Sequence, residues 1–178
     1  MRTRLLSPFL AVLSTAVFAT SAGAALTVTQ TTNGTDLANA LGRAGLTINS
    51  VTVTNGAASQ FGTYTGFTSP PVTLGNGVVL STGQVSQVLP AFNNGLQGAG
   101  STPNTDTGQP CTTEFNAYGP GHITNFGNSN DVARLQVNFT LSSPSQVGFN
   151  FAFGSVELPQ FTNDFTDAFL AFLDGTAI

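Results

Sequence analysis

The stretch RLQVNFTL, residues 134–141, alternates without a break. Leu135, Val137, Phe139 and Leu141 fall on one side, and Arg134, Gln136, Asn138 and Thr140 on the other. Successive side chains of a strand point to opposite faces, so this period of two specifies a half-buried β-strand and excludes a helix. After the turn signal SSPSQ the alternation resumes. Val147, Phe149, Phe151 and Phe153 oppose Gly148, Asn150, Ala152 and Gly154. The two stretches read as an antiparallel hairpin with an aromatic inner face. Eight of the fifteen phenylalanines lie between Phe139 and Phe172. Core packing accounts for nearly all of them, at roughly 1.5–3 kcal/mol for each buried ring. Phe161 and Phe165, in an acidic loop, are the two set apart.

The same reading extends along the chain. LTINSVTVTNG alternates at Leu46, Ile48, Val51 and Val53, with a one-residue slip near Ser50 that fits a bulge. Asn55-Gly56 is a turn signal. GTYTGF is a short strand, SPPVTLGNG a loop and GVVLSTGQV a buried strand. DAFLAFLDG is apolar almost throughout and reads as a central strand covered on both sides. Asp174-Gly175 then turns the chain, and TAI begins a returning strand. One helix interrupts this pattern, TDLANALGRAG, capped by Thr35 or Asp36 and ended by Gly42 and Gly45. Between about Leu89 and Asn130 the periodicity dissolves into Gly, Asn, Thr and Pro, the composition of a long loop. The expected fold is all-β: a mainly antiparallel β-sandwich with one short N-terminal helix and long loops.

The first 24 residues stand apart. Arg2 and Arg4 precede the apolar run LLSPFLAVLSTAVFA, and Ala22-Gly23-Ala24 follows as a cleavage pattern. This reads as a secretory signal peptide over 1–24, leaving residues 25–178 as a single domain. The run is short for a membrane span, and Pro8 interrupts its start. Without the leader, Arg43 and Arg134 face eight acids, and the chain has no lysine. Such a surface repels phosphate backbones and anionic membranes, which argues against nucleic acid as a partner. It suits an exported protein that meets cations, neutral polymers or other surface proteins. The chain stops three residues into the last strand, so it reads as a fragment, with any C-terminal anchor beyond Ile178.

Residues able to do chemistry are few. Cys111 and His122 are the single cysteine and the single histidine, in PCTTEFNAYGPGH. Two such groups without an orienting third carry little weight for nucleophilic catalysis, and fall short of the usual four zinc ligands. The acids are more suggestive. Only 7% of the chain is charged, yet Glu157, Asp164, Asp167 and Asp174 cluster near the end. A loop bending back at Pro159 would bring Glu157, Asp164 and Asp167 together, with Asp131 at the start of a neighbouring strand. Those four carboxylates would suit Ca²⁺, which takes 6–8 oxygen ligands, although no EF-hand spacing is present. The plainer reading is that Asp131 and Asp167 cap strand ends by accepting from loop amides. A carboxylate pair for glycoside hydrolysis is the third reading. The absence of Trp, and the presence of only Tyr64 and Tyr118, weigh against a sugar-lined cleft.

The order of these segments carries a resemblance. LANALGRAGLTINSVTVTNG, then GVVLSTGQV, then SNDVARLQVNFTLSSPSQVGFNFAFGSVELPQFTNDFTDAFLAFLDG resembles the choice-of-anchor L domain from about Leu37 to Gly175. The family's end typically reads FxSEEY, a short loop, then FND and an apolar strand. Here Phe153, Gly154, Ser155 and Glu157 match, while Val156 and Leu158 replace an acid and a tyrosine. Phe165 and Asp167 match, with Thr166 for the asparagine, and Phe169, Phe172 and Gly175 continue the match. The resemblance implies an exported bacterial surface protein with a β-rich fold. It also implies alternative C-terminal anchors, PEP-CTERM-type signals among them, and no enzymatic activity. The expected role is structural or adhesive, in the extracellular matrix or at the cell surface. The alternative is a module binding glycan or exopolysaccharide, with or without calcium.

Overall fold

A computed structural model of the protein describes residues 25–69, 72–88, 107–110, 112–123, 126, 130–144, 146–155 and 167–178. Strand β1 (Thr27–Gln30) leads into helix α1 (Gly34–Leu41). Strands β2 (Leu46–Asn55), β3 (Phe61–Ser69) and β4 (Val72–Leu80) follow. Helix α2 (Thr113–His122), strand β5 (Arg134–Leu141) and the two-residue strands β6 (Phe172–Leu173) and β7 (Thr176–Ala177) complete the order. Among the described residues every strand pairing is antiparallel. One sheet runs β1-β3-β4, a second pairs β2 with β5, and β6-β7 form a small hairpin. The expectation of a mainly antiparallel β-sandwich holds.

Helix α1 sits where the two larger sheets meet. It contacts β2 of one and β3 and β4 of the other, and its Leu37 is fully buried. Its cap is Asn33, not Thr35 or Asp36. The Asn33 Oδ1 accepts from the amides of Thr35 at 2.8 Å and Asp36 at 3.4 Å. Asp36 falls instead in the first turn, where a carboxylate complements the positive end of the helix dipole. At the other end the Arg43 guanidinium donates to Gly42 O at 2.7 Å and to Asn76 O at 2.9 Å, tying the helix exit to β4. Burial pushes the nearby Tyr64 phenol above its ordinary pKa, and the Arg43 charge pulls it back.

The alternation of β5 is real, but its partner is β2. Ile48 faces Phe139, Val51 faces Val137 and Val53 faces Leu135. A register shift between Ile48 and Ser50 returns the apolar residues of β2 to the inner face, where the slip near Ser50 was expected. Residues 146–155 belong to no strand, so the expected hairpin between β5 and the phenylalanine-rich stretch does not form. A period of two marks a segment as two-faced but leaves its partner open. The region 167–171 is likewise outside strands, and only Phe172–Leu173 pairs, with Thr176–Ala177. The expected central strand is thus a short hairpin. Its turn is the expected one: Asp174 and Gly175 take φ of 48° and 81°, the left-handed pair a tight hairpin needs. SPPVTLGNG also departs from its reading as a loop, since Val72 onward is β4 and Asn76-Gly77 lies within that strand.

The described core is small and centred on Leu37, Val51, Phe61, Val85 and Val132. Among them lies one large polar side chain, Gln60, with no exposed surface. Its Oε1 accepts from Ala57 N at 2.7 Å. Its Nε2 lies 2.7 Å from Asp131 O and 3.1 Å from both Ser81 O and Thr82 O. Gly56 makes room beside it. A β-carbon there would fall 2.6 Å from the Phe61 ring, and its φ of 122° is one that side chains rarely adopt.

Gln60→Leu keeps the volume and strips every hydrogen bond. It should lower unfolding stability by about 3 kcal/mol, given roughly 1–3 kcal/mol for each buried polar group left without a partner. Urea denaturation would measure the loss. A fall below about 1 kcal/mol, the net value of one ordinary hydrogen bond, would show that water replaces the amide freely.

Candidate functional site

Of the four carboxylates read as a calcium set, two fall within the described residues. Asp131 lies just before β5 and takes a positive φ of 58°. Its Oδ1 accepts from the Thr107 amide at 2.8 Å and the Thr107 hydroxyl at 2.7 Å. Its own amide donates to Gln109 O at 2.8 Å, and its carbonyl receives Gln60. Asp131 therefore serves as a clasp between the 107–109 segment and the entry to β5, the capping role that its residue type favours. Asp167 is half-buried. Glu157 and Asp164, with Pro159, Phe161 and Phe165, lie outside the described residues. Among the described residues, no three of His, Cys, Asp and Glu come together as metal ligands would.

Helix α2 is the element that sequence reasoning missed. It occupies part of the 89–130 region expected to be loop. Thr112 caps it through Oγ1, which accepts from Phe115 N at 3.4 Å, and Glu114 and His122 fall in its first and last turns. Thr112 with Glu114 two residues on was a readable start signal. Gly119, Pro120 and Gly121 hid it, because all three resist helix interiors. Gly119 is there for packing: a β-carbon would lie 2.5 Å from the Phe126 ring. The helix is fastened to β5 by an ion pair, Glu114 Oε1 to Arg134 Nη2 at 2.8 Å, with both side chains around two-fifths exposed.

The histidine sits at the end of α2. His122 Nδ1 lies 2.8 Å from Tyr118 O, and its ring stacks on Tyr118 at 3.7 Å and 8°. Tyr118 in turn meets the edge of Phe172 at 6.3 Å. Cys111, its suggested partner in catalysis, lies outside the described residues.

Two surfaces stand out among the described residues. The first is the outer face of the β2–β5 sheet, where Thr47, Asn49, Ser50, Thr52, Gln136, Asn138 and Thr140 are exposed. Asn49 Nδ2 donates to Thr140 Oγ1 at 2.8 Å and Asn138 Nδ2 to Ser50 Oγ at 2.9 Å, which holds the amides in fixed orientations across the strands. The second surface is aromatic. Phe149, Phe151 and Phe169 make a cluster with centroid spacings of 5.1–6.0 Å. With Tyr118, Leu170 and Ile178 they line an open cavity of about 280 Å³. The expectation that nearly all the phenylalanines are core is overturned here: Phe149, Phe151 and Phe153 are 53%, 58% and 51% exposed. Alternation specifies an apolar face, and says nothing of what covers it.

Among the described residues, antiparallel sheets carry one face of hydroxyls and amides and, apart from it, one aromatic cluster. The chain belongs to the choice-of-anchor L domain family, whose model matches residues 26–177. No curated protein and no solved structure matches the chain. Choice-of-anchor domains are extracellular or cell-surface modules. Among the described residues no helix is long and apolar enough to cross a membrane, which leaves β-barrels aside.

The clasp reading of Asp131 has a direct test. Asp131→Asn keeps the Oδ1 acceptor and a residue that tolerates positive φ, so its stability should stay within about 0.5 kcal/mol of the parent. Asp131→Ala loses both Thr107 bonds and the local tolerance, and should cost about 2 kcal/mol by urea melts. Equal losses in both variants would show that the negative charge itself matters.

Proposed function

We propose that this protein is a non-catalytic surface or matrix protein, structural or adhesive in role, exported through its leader at residues 1–24. The observation that carries the reading is how the ionisable groups are used. Asp36 accepts from Thr31 Oγ1 at 3.1 Å, Glu114 pairs with Arg134, Asp131 clasps Thr107, and His122 rests on Tyr118. Each is engaged in holding the fold, while the exposed faces carry hydroxyls, amides and aromatic rings suited to contact.

A second reading, a glycan- or exopolysaccharide-binding module, draws on the outer face of β2–β5. Its oriented amides and hydroxyls offer uncharged donors and acceptors in rows about 7 Å apart along each strand, the repeat of alternate residues. Retention of the purified protein on a neutral polysaccharide column, reduced roughly tenfold in affinity by Gln136→Ala with Thr52→Ala, would favour this module. Unchanged elution of parent and variant alike would leave the adhesive role to other surfaces. Release of reducing sugar by the parent and not by Glu157→Gln would instead establish the hydrolase.

Calcium at Asp131, Glu157, Asp164 and Asp167 belongs to the same proposal as an accessory. Thermal unfolding with excess Ca²⁺ and with a chelator tests it. A ligand at a hundredfold excess over its Kd stabilises by about 2.7 kcal/mol, which moves the midpoint by several degrees. A shift abolished by Asp167→Asn would place an ion in the acidic loop. Coincident melts would leave these carboxylates as structural caps.

A further inference from the structure

We propose that α2 is a strap that opens independently of the two larger sheets, carrying Tyr118 away from the aromatic cavity, and that the Glu114–Arg134 pair sets how readily it opens. The helix has little burial to hold it. Its one buried residue is Gly119, which brings no side chain, and Phe115 and Tyr118 are only half-buried. Helix α1 differs, because its Leu37 is fully buried. Intrinsic propensity does not make up the difference. Ten residues are too few for a stable isolated helix. Gly and Pro are the residues least suited to a helix interior, and α2 carries Gly119, Pro120 and Gly121 in its last turns. Pro120 also removes one backbone donor there.

The ties that hold α2 closed are light. Glu114 Oε1 meets Arg134 Nη2 at 2.8 Å, with the Arg134 and Glu114 side chains 43% and 37% exposed. Such a pair is weak and is screened by salt. The second carboxylate oxygen, Oε2, is buried without a hydrogen-bond partner among the described residues. Closing strips water from that oxygen and opening restores it, which lessens the grip of the pair. Further along, Tyr118 touches Phe172 edge-on. The stack of Tyr118 on His122 lies within the helix and moves with it.

The anchorage is firm by contrast. Asp131 Oδ1 accepts from the Thr107 amide and hydroxyl, and Asp131 N donates to Gln109 O. Asn55 Nδ2 donates to Pro110 O at 3.3 Å and to Val132 O at 2.7 Å. Residues 107–110 and 131–132 are thereby tied to each other and to the end of β2, so the base stays in place while α2 moves. Tyr118 lines the cavity beside Phe149, Phe151 and Phe169. Opening removes that wall and uncovers the edge of Phe172, so access to the cavity follows the state of the helix.

Hydrogen exchange resolved by residue decides whether α2 opens alone. The amides of Asn116 and Ile123, bonded to Thr112 O and Gly119 O, should exchange at least roughly a hundredfold faster than the paired amides of β2 and β5. Raising salt to about 1 M, where the Debye length falls to about 3 Å, should speed exchange in α2 about threefold relative to the sheets. Gly121→Ala should slow it about fivefold. A β-carbon at that position meets nothing within 4 Å, so the packing is unchanged. In a Tyr64→Phe background Tyr118 is the single tyrosine, and acrylamide should quench its fluorescence less when Gly121→Ala is added. One common exchange rate for α2 and the sheets would overturn the strap, as would exchange indifferent to Gly121→Ala. Exchange indifferent to salt would overturn the role of the ion pair, and equal quenching with and without Gly121→Ala would overturn the withdrawal of Tyr118.

Discussion

The side-chain amide of Gln60 is the point from which the described structure hangs. It lies where three segments distant in sequence converge: the turn after β2, the end of β4 and the entry to β5. Each of those segments lies at a strand end, beyond the ladder that would pair its backbone groups. One buried amide supplies a donor and an acceptor at once, and apolar packing around Phe61 and Val132 removes the water that would compete. The two sheets are thereby joined at one end by hydrogen bonds and along their length by Leu37 of α1. Asp131 extends the junction outward, since the residue whose carbonyl Gln60 holds is also the one whose carboxylate grips Thr107.

That arrangement explains which parts of the fold were legible in the sequence. The faces of β2 and β5, the bulge near Ser50 and the turn at Asp174-Gly175 were readable because each depends on neighbours within a few residues. The pairing of β5 with β2 was not, because it depends on a match between segments about ninety residues apart. Helix α2 was hidden by Gly119, a residue chosen to let Phe126 approach and costly to the helix itself. The acidic cluster was legible as a cluster only. What Asp131 does became clear from Thr107, a residue with nothing in its sequence surroundings to recommend it.

The functional picture follows from the same economy of charge. A chain with so few ionisable groups uses Asp36, Asp131, Glu114 and Arg134 to hold its fold, through side-chain hydrogen bonds and an ion pair. Among the described residues, what it presents outward includes a face of hydroxyls and amides on one sheet and a cluster of aromatic rings elsewhere. Under the proposed contact role, such surfaces would recognise by shape, stacking and fixed amide orientation.

The distance between β2 and β5 has a consequence for how the chain comes into being. A protein made from its N-terminus carries β2 long before β5 exists, and closing so large a loop is entropically slow. The sheet of β1, β3 and β4 can form early, since all its strands precede residue 81, but its link to the second sheet waits for residues 131–141. Until then Gln60 lacks Asp131, and the inner face of β2 has nothing opposite it. The second sheet thus stays open until residues 131–141 have been made.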